Sequence, residues 1–369
     1  MSIQFKENWQ ETRERFSAWW ANESSGRPPI YVTARREKPL INPYPPEPYS
    51  DVADRYLNTD KIIANQFEHL CNQELIAEAF PFMTLDLGAG SLALYTGSEP
   101  SFNADTLWFL PVMKGLPPDG KIPFDVKNEW YVRHLEMFKA AKEATKDTDI
   151  MLCVPDLVEH LDILSSLIGA TELFEEFFEN PDLVKAACSS LNEHFKTAFD
   201  AFNEYCIDKD TGWNAFTAFY ICGPGRTAKI QCDLAAMISP KQFREFALEP
   251  LREQCQWLDT SLFHLDGPEC ICHIPALMEI NELNAIQWTT GHGNPPSGEE
   301  VWYDLYKQVK DAGKSLWIAL ADYSPDIAIQ KADELVRKFG AKGFYFLMPD
   351  MTRKEADALI LKADREWKC

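Results

Sequence analysis

The eleven residues from Phe263 to His273 hold the densest group of ligand and acid–base side chains in the sequence. They include two imidazoles, two thiols and two carboxylates, carried by His264, Asp266, Glu269, Cys270, Cys272 and His273. His264 and Asp266 stand two positions apart, so along a β-strand their side chains point to the same side. Such a pair can bind zinc through an imidazole nitrogen and a carboxylate oxygen. Alternatively, the carboxylate acts as a general acid or base beside the imidazole, or the pair is a solvated strand end.

The thiols of this stretch follow a Gly-Pro turn. Apolar residues at helical spacing, from Ile271 onward, predict a helix that begins near Pro268. Cys270 then lies near the helix N-terminus, where a thiolate is stabilised. The alternative is that Cys270 and Cys272 are small, half-buried helix residues without a chemical role.

The elements that must position these groups alternate between apolar strand-like runs and amphipathic helical stretches. The predicted strands are 29–33, 84–87, 150–154, 213–220, 262–265, 285–289, 316–320 and 344–348. The predicted helices are 61–79, 127–146, 171–207 (two helices split at Pro181), 240–258, 299–312, 325–339 and 352–366. This alternation predicts an α/β protein with a single (β/α)8 TIM barrel, and an open doubly wound sheet is the alternative. Residues 1–28 are expected to form an N-terminal helical extension packed on the barrel domain, 29–369.

Polar residues follow most of the predicted strands. In a (β/α)8 barrel the C-terminal strand ends face the active site, so these residues are the catalytic candidates. In chain order they are Thr33, Arg35, Asp86, Asp156, His160, Arg226, Cys232, Asp233, His264, Asp266, His292, Asp322 and Asp350. His292 lies between two glycines, which let the backbone approach a ligand closely. Trp288 either lines the pocket floor or fills the barrel core.

Composition and charge exclude several function classes. The chain has 369 residues, a net charge of −21 and a pI of about 4.8. A surface this acidic repels nucleic acids and anionic membranes. The N-terminus lacks an apolar signal core, the apolar runs are too short for a membrane span, and the ten cysteines are scattered. These features predict a cytoplasmic protein with reduced thiols.

Several short motifs resemble the uroporphyrinogen decarboxylase-like superfamily, which groups that decarboxylase with corrinoid-dependent methyltransferases. The matches span nearly the whole chain. They are Arg27-Pro28-Pro29-Ile30, Phe80-Pro81, Gly88-x-Gly90, Asp156-Leu157, Gln231-Cys232-Asp233, Ser239-Pro240-x-x-Phe243 with Pro250, and Phe263-His264-Leu265-Asp266-Gly267-Pro268. The resemblance implies one barrel with its pocket at the C-terminal face of the strands.

The sequence departs from both well-studied branches of that superfamily. The decarboxylases carry an arginine-rich loop after strand one, whereas residues 32–37 here keep two arginines without the glutamine, the glycine or the spacing. This disfavours a porphyrinogen substrate. The zinc methyltransferases use a His-x-Cys pair after strand five and a cysteine after strand eight. The matching positions here are His264-x-Asp266 and Asp350. Carboxylate ligands would make the zinc a harder Lewis acid, which suits an ether, alcohol or amine methyl donor.

The resemblance therefore implies a methyltransferase that demethylates a small substrate and passes the methyl group to a corrinoid protein. In this hypothesis His264, Asp266 and Asp350 hold zinc, and the catalytic candidates are Asp233, Asp156, Asp86 and His292. The substrate-binding candidates are Arg35, His160, Arg226, Trp288, Asp322 and Met348. The chain has no Asp-x-His-x-x-Gly cobalamin motif, so the corrinoid is expected on a partner protein. A homodimer is expected because dimers are common among similar proteins.

Two rival functions stay open. One is a metal-free decarboxylase acting on a small carboxylate, in which Arg35 and Arg226 would bind the carboxylate. The other is a non-catalytic barrel that binds a ligand or a corrinoid protein. Loss of activity on substituting either arginine, with no metal present, would favour the first rival.

Overall fold

The computed structural model describes residues 3–104 and 106–368, in which strands and helices alternate. The strands are β1 (Ile30–Arg35), β2 (Gln73–Ala77), β3 (Phe82–Met83), β4 (Glu99–Phe102), β5 (Leu107–Leu110), β6 (Met151–Val154), β7 (Trp213–Phe216), β8 (Ile221–Pro224), β9 (Thr227–Gln231), β10 (Thr260–Asp266), β11 (Ala285–Thr289), β12 (Ser315–Ala319) and β13 (Phe344–Leu347).

The helices lie between the strands and range in length from a single turn to the 26 residues of the longest. They are α1 (Trp9–Trp20), α2 (Val52–Leu57), α3 (Thr59–Asn72), α4 (Leu92–Tyr95), α5 (Glu129–Thr145), α6 (His160–Ile168), α7 (Ala170–Glu179), α8 (Pro181–Cys206), α9 (Pro240–Gln242), α10 (Leu248–Trp257), α11 (Ile274–Leu277), α12 (Tyr303–Asp311), α13 (Pro325–Phe339) and α14 (Arg353–Glu366). A π-helical turn, Phe243–Ala247, joins α9 to α10, and 3-10 turns cover Asp233–Met237, Pro268–His273 and Glu300–Trp302. No helix in the described part of the chain is long and apolar enough to cross a membrane.

Parallel strands form the centre of the fold, which confirms the predicted α/β class. The larger sheet has seven strands in the order β2-β1-β13-β12-β11-β10-β9, and only β2 runs antiparallel to its neighbour. The second sheet has the order β3-β6-β7-β8, with β8 antiparallel. Among the described residues the two sheets form separate hydrogen-bonded ladders, so a closed barrel is not detected. Strands β4 and β5 form a separate hairpin.

Strand register places the polar residues of three strands side by side. In the parallel pairing, His264 of β10 lies opposite Gln231 of β9 and Gln287 of β11. Asp266 lies opposite Thr289, two residues closer to the C-terminal ends of the strands. Since alternate residues of a strand share a face, these side chains point to the same side of the sheet. The other residues of these three strands are buried, as expected for a parallel sheet covered on both faces.

The predicted strand 213–220 is wrong in its second half. The chain reverses at Phe219 and Tyr220, which both have left-handed backbone angles, and β8 returns antiparallel to β7. Long-range contacts hold this turn, because Trp317 donates to the Phe219 carbonyl over 2.8 Å and Tyr345 donates to the Tyr220 carbonyl over 2.7 Å. We call residues 217–220 the hairpin tip. The next strand, β9, was not predicted, although it is the strand that pairs with β10.

The second predicted strand and the helix before it also differ from the structure. The helix predicted over 61–79 ends at Asn72, and the chain then forms β2, which pairs antiparallel with β1. The strand predicted at 84–87 is the short β3 instead, so Asp86 lies in the segment that follows it.

Helix α1 closes the N-terminal ends of the strands. Trp19 donates to the Gly343 carbonyl just before β13 over 3.2 Å, and Ser315 at the start of β12 donates to the Trp19 carbonyl over 2.6 Å. Trp20 donates to the Cys222 carbonyl over 2.9 Å. Phe16, Trp19 and Trp20 belong to the same buried core as the strands. The helix is therefore an integral layer of the core, and the structure shows no separate N-terminal extension.

Candidate metal centre at the strand ends

Three side chains from adjacent elements converge at the C-terminal ends of β9 and β10. Asp233, His264 and Asp266 each offer one ligand atom, and these atoms all lie within 4.8 Å of one another. The His264 Nε2 atom is 4.0 Å from Asp266 Oδ2. Two ligands of a tetrahedral zinc, each about 2.1 Å from the ion, lie roughly 3.4 Å apart. The observed spacings are wider than this, so the three side chains could hold an ion after closing in on it.

Hydrogen bonds fix the imidazole of His264 in the orientation that a metal ligand needs. Gln287 donates through Nε2 to the Thr289 hydroxyl over 2.8 Å, which turns its carbonyl oxygen toward His264 Nδ1. Nδ1 therefore donates to Gln287, and the lone pair is on Nε2, the atom that faces Asp266. Burial, together with the nearby charge of Lys229, lowers the pKa of His264. The imidazole is thus neutral, as metal binding requires.

Asp233 is positioned by the 3-10 turn that follows β9. Its carboxylate accepts a hydrogen bond from Gln231 Nε2 over 2.8 Å. Asp162 caps the same turn, accepting from the backbone amides of Asp233 over 2.8 Å and Leu234 over 2.9 Å. Burial raises the pKa of Asp162 to about 6, with the Asp233 charge as the second cause. Burial also raises the pKa of Asp233, against the opposing effect of His264 and Lys229.

A buried ammonium group lies behind Asp233. Lys229 Nζ is 2.8 Å from Asp156 Oδ1, and the two side chains are only 1% and 9% exposed. Lys229 also donates to the side-chain oxygen of Gln231, so Gln231 connects the ion pair to Asp233. The backbone amide of Gln231 donates to Glu159 over 3.0 Å. This chain of contacts ties the candidate metal centre to a charge cluster in the interior.

Two carboxyl groups of this cluster are prone to hold a proton. Burial raises the pKa of Asp86 to about 7, and the charge of Asp156 adds to the effect while Lys229 opposes it. Burial raises the pKa of Glu159 well above its usual range, again opposed by Lys229. One oxygen of Asp86 and one of Glu159 are buried without a hydrogen-bond partner among the described residues. Their raised pKa values make Asp86 and Glu159 the groups of this region best suited to act as a catalytic acid.

Several predicted site residues belong to this region. Asp86, Asp156 and Asp233 interact electrostatically with Lys229. His160 is buried next to Glu159 at the start of α6, and its Nε2 has no partner in the described structure. Burial lowers the pKa of His160 to about 3, so the ring is neutral.

Other predicted residues lie elsewhere. Arg226 precedes β9 at the N-terminal ends of the strands, where it pairs with Asp200 over 2.9 Å and stacks over Trp257. This corrects the prediction of Arg226 at a C-terminal strand end, which followed from treating 213–220 as one strand. Trp288 is fully buried and packs against Trp302. It therefore fills the core and does not line the pocket floor.

The remaining candidates are dispersed over the C-terminal ends of the strands. Arg35, Asp322 and His292 are exposed. Asp350 accepts a hydrogen bond from Thr33 and, with Met348, lines a separate cavity of about 420 Å³. Asp233 therefore takes the place that the sequence suggested for Asp350 beside His264 and Asp266.

The cysteines near the site agree with the alternative in which they have no chemical role. Cys270 is buried, and burial raises its pKa to about 12, with Asp266 as the next cause. Cys272 is exposed and donates to the Glu269 carbonyl. His273 stacks on Phe243 and contacts the Ala235 carbonyl. None of the three joins the metal-ligand group found among the described residues.

Sequence reasoning missed the residues that support the site. Lys229, Gln231 and Gln287 are polar residues inside strands that are otherwise buried. A polar side chain in such a strand needs a partner, and that is the signal that could have identified them. Glu159 and Asp162 lie on either side of the predicted candidate His160 at the start of a helix, and neither was predicted as a site residue.

Together, the fold and the site define an α/β protein with a candidate metal centre at the C-terminal ends of parallel strands. No family model matches the chain, and no curated protein matches it. Among solved structures, the chain is similar to a methyltransferase from Methanosarcina mazei, with 15% identity and a TM-score of 0.58 over 96% of this chain and 98% of that one.

A second match is a B12-independent methionine synthase from Shewanella sp. W3-18-1 in complex with selenomethionine. It has 11% identity and a TM-score of 0.40 over 73% of this chain and 74% of that one. At the level of fold, the match to the Methanosarcina structure confirms the predicted resemblance.

Proposed function

We propose that this chain is a metal-assisted methyltransferase, which demethylates a small methylated substrate and passes the methyl group to a partner corrinoid protein. The observation that carries the proposal is the convergence of Asp233, His264 and Asp266 at the C-terminal strand ends. That end holds the active site in barrel enzymes. A similar fold in a methyltransferase supports the class of reaction.

The three ligand candidates suit zinc, because one nitrogen and two oxygens are donors that zinc accepts. When bound, such an ion supplies Lewis-acid activation of the donor heteroatom. Gln287 holds His264 with its Nε2 lone pair toward the centre. Gln231 and Asp162 hold Asp233, while the Asp266 side chain stays 46% exposed on the open side. A substrate would enter from that side.

The proton needed by the demethylated heteroatom would come from the chain's own acids. Asp233 is at the centre, and Asp86 has a pKa of about 7 because of its burial. At neutral pH, Asp86 is therefore divided between its protonated and ionised forms, which is the property of an effective general acid. Asp156, ion-paired with Lys229, would keep the negative charge that favours proton retention on Asp86. His292, on its exposed loop, remains a further candidate.

The proposal includes the architecture and setting predicted from the sequence. The two sheets would be arcs of one (β/α)8 barrel made by residues 29–369, with residues 1–28 packed on it. Eight of the nine described cysteines are buried, and none of the nine forms a disulfide. Reduced thiols suit the cytoplasm. A homodimer, which equilibrium sedimentation would detect, is part of the same proposal.

The observed position of Arg226 weakens the decarboxylase alternative. A small carboxylate substrate needs a free cation, yet Arg226 is at the opposite end of the strands and paired with Asp200. Lys229 is neutralised by Asp156, with which it forms a buried ion pair. No second function is therefore proposed.

Elemental analysis of the purified protein tests the metal. We expect near-stoichiometric zinc in the natural protein and in a His292→Ala control, and its loss in a His264→Ala/Asp266→Ala variant. Methyl transfer from a panel of methylated ethers and amines to free cob(I)alamin, followed by its absorption spectrum, tests the reaction. Unchanged metal content and activity in the double variant would refute the proposal. Protein without metal, even after purification with added zinc, would leave a metal-free lyase or a binding barrel.

A further inference from the structure

A second concave site lies at the C-terminal ends of β1 and β13. Its volume is about 420 Å³, and its walls include Tyr31, Phe82, Tyr220, Met348 and Asp350. Among the described residues that line it, none is lysine or arginine, and His69 is the single histidine. The site therefore combines apolar and aromatic walls with one carboxylate that has no basic counterpart in the lining.

Three aromatic rings meet at one corner of this cavity. The centroids of Tyr31 and Tyr220 are 4.4 Å apart, and those of Phe82 and Tyr220 are 5.5 Å apart with the rings inclined at 66°. Tyr31 is largely buried, whereas Tyr220 is 36% exposed and forms the accessible edge of the cluster. Inclined rings around a pocket present both faces and edges to a ligand. Ring faces attract cations through their quadrupole.

The carboxylate of Asp350 supplies the negative charge of the cavity. It accepts a hydrogen bond from the Thr33 hydroxyl, and no lysine or arginine in the described part of the chain forms an ion pair with it. Burial, and then the charge of Asp350, raises the pKa of Tyr220. Burial is also the main cause of the raised pKa of Tyr31, to which Asp350 adds, so both phenols stay neutral. A cation is the ligand that would balance this charge.

The hairpin tip separates this cavity from the candidate metal centre. Tyr220 lines the cavity, while the ring of its neighbour Phe219 lies 5.0 Å from the ring of His264. Trp317 and Tyr345 hold the backbone carbonyls of these two tip residues. A substrate bound in the cavity would therefore lie next to the residues that contact the metal ligand.

We infer that this cavity binds the ammonium group of the methyl donor, while the methyl-bearing heteroatom reaches the metal centre. The inference rests on the proposed function for the identity of the ligand as the donor. Binding of the cation itself does not require a metal. A small alkylammonium group suits the site because its charge is delocalised over its methyl or methylene surface. It can contact aromatic rings and a carboxylate with little loss of hydration.

Titration calorimetry with tetramethylammonium, and with choline against its neutral isostere 3,3-dimethylbutan-1-ol, tests the inference. At about 0.15 M salt, non-specific attraction to the acidic surface is screened. We expect saturable binding of both cations, with the neutral alcohol bound about tenfold more weakly or not at all. Equal affinity for choline and the alcohol would overturn the inference, because the site would then recognise shape without charge.

Matched variants locate the binding. Tyr220→Leu and Asp350→Asn should each weaken tetramethylammonium binding by about tenfold, whereas Tyr220→Phe should keep it because the ring face remains. Asp326→Asn removes an equal charge at the start of α13, outside the cavity, and should change nothing. Unchanged binding in both Tyr220→Leu and Asp350→Asn would refute the site.

The same measurements separate this inference from the proposed function. A His264→Ala/Asp266→Ala variant that loses zinc and methyl transfer but binds tetramethylammonium normally would support the cavity as an independent cation site. Methyl transfer by the natural protein from neutral ethers, without any binding of ammonium cations, would support the function and overturn the inference.

Discussion

Removing Lys229 should destabilise the fold severely. The ammonium group is almost completely buried, and it is the cation that Asp156, Glu159 and Asp86 share. Breaking a buried pair by deleting one partner typically costs about 3–5 kcal/mol, because the other charge is left without compensation. We expect a Lys229→Met variant, which keeps the length of the side chain, to lose that much free energy of unfolding.

The length of the chain determines how far this loss of free energy lowers the melting temperature. At about 2.1 cal/mol/K per residue, the 369 residues give an unfolding entropy of roughly 0.8 kcal/mol/K. The variant should therefore melt about 4–6 °C below the natural protein. Urea unfolding followed by circular dichroism gives the free energy, and calorimetry gives the melting temperature. Lys307→Met, which breaks an exposed pair with Asp311, is the control and should leave both unchanged.

The destabilisation should depend on pH in a definite direction. Lys229 lowers the pKa values of Asp86 and Glu159, so without it both carboxyl groups hold their protons to higher pH. A carboxyl group whose pKa is higher in the folded state than in the unfolded state stabilises the fold at low pH, and this stability is lost as the pH rises. The deficit of Lys229→Met should therefore be smaller at pH 5 than at pH 8. A deficit below about 1 kcal/mol, or one that grows as the pH falls, would refute a buried charge cluster.

Three further predictions follow from other contacts. A Gln287→Leu variant should weaken zinc binding by about 10–100-fold in a chelator competition, because His264 loses its orienting partner; an unchanged affinity would contradict that role. Glu78→Gln should lower the free energy of unfolding by about 3–5 kcal/mol in urea, because it removes the buried carboxylate that Arg27 and Arg15 share and leaves Arg27 with only the half-exposed Asp364; a loss near zero would argue against the pair. The natural protein should lose stability relative to Asp86→Asn as the pH rises from about 4 to 7, since the folded-state pKa of Asp86 is about 7; parallel pH profiles would contradict the raised pKa.

The parallel strands at the centre of the fold were predictable because they are short, apolar and buried along their whole length. Strands β11 and β12 lie close to their predicted positions, and the His264-x-Asp266 spacing was correctly interpreted as one face of a strand. The hairpin tip was not predictable, since 213–220 is one apolar run in the sequence. Its reversal depends on contacts with Trp317 and Tyr345, which lie about a hundred residues away or more.

The same limitation applies to the site. The choice of Asp233 over Asp350 as the third member depends on which strand lies beside β10. Strand β9 was absent from the predicted set, so the neighbour of β10 was misassigned. The supporting roles of Lys229 and Gln231, both on β9, were missed for that reason. Local spacing identified the pair on one strand, whereas the partners on the next strand required the sheet order.

The position of α1 has a consequence for the order of events during protein synthesis. The hydrogen-bond partners of Trp19 are the Ser315 hydroxyl and the Gly343 carbonyl, which are made late in synthesis. At about 5–20 residues per second, the ribosome needs roughly 15–65 s to make the chain between Trp20 and Gly343. During that interval Phe16, Trp19 and Trp20 lack most of the surface that buries them in the finished protein. The nascent chain therefore exposes an aromatic helix for most of its synthesis, which is the kind of segment that chaperones bind.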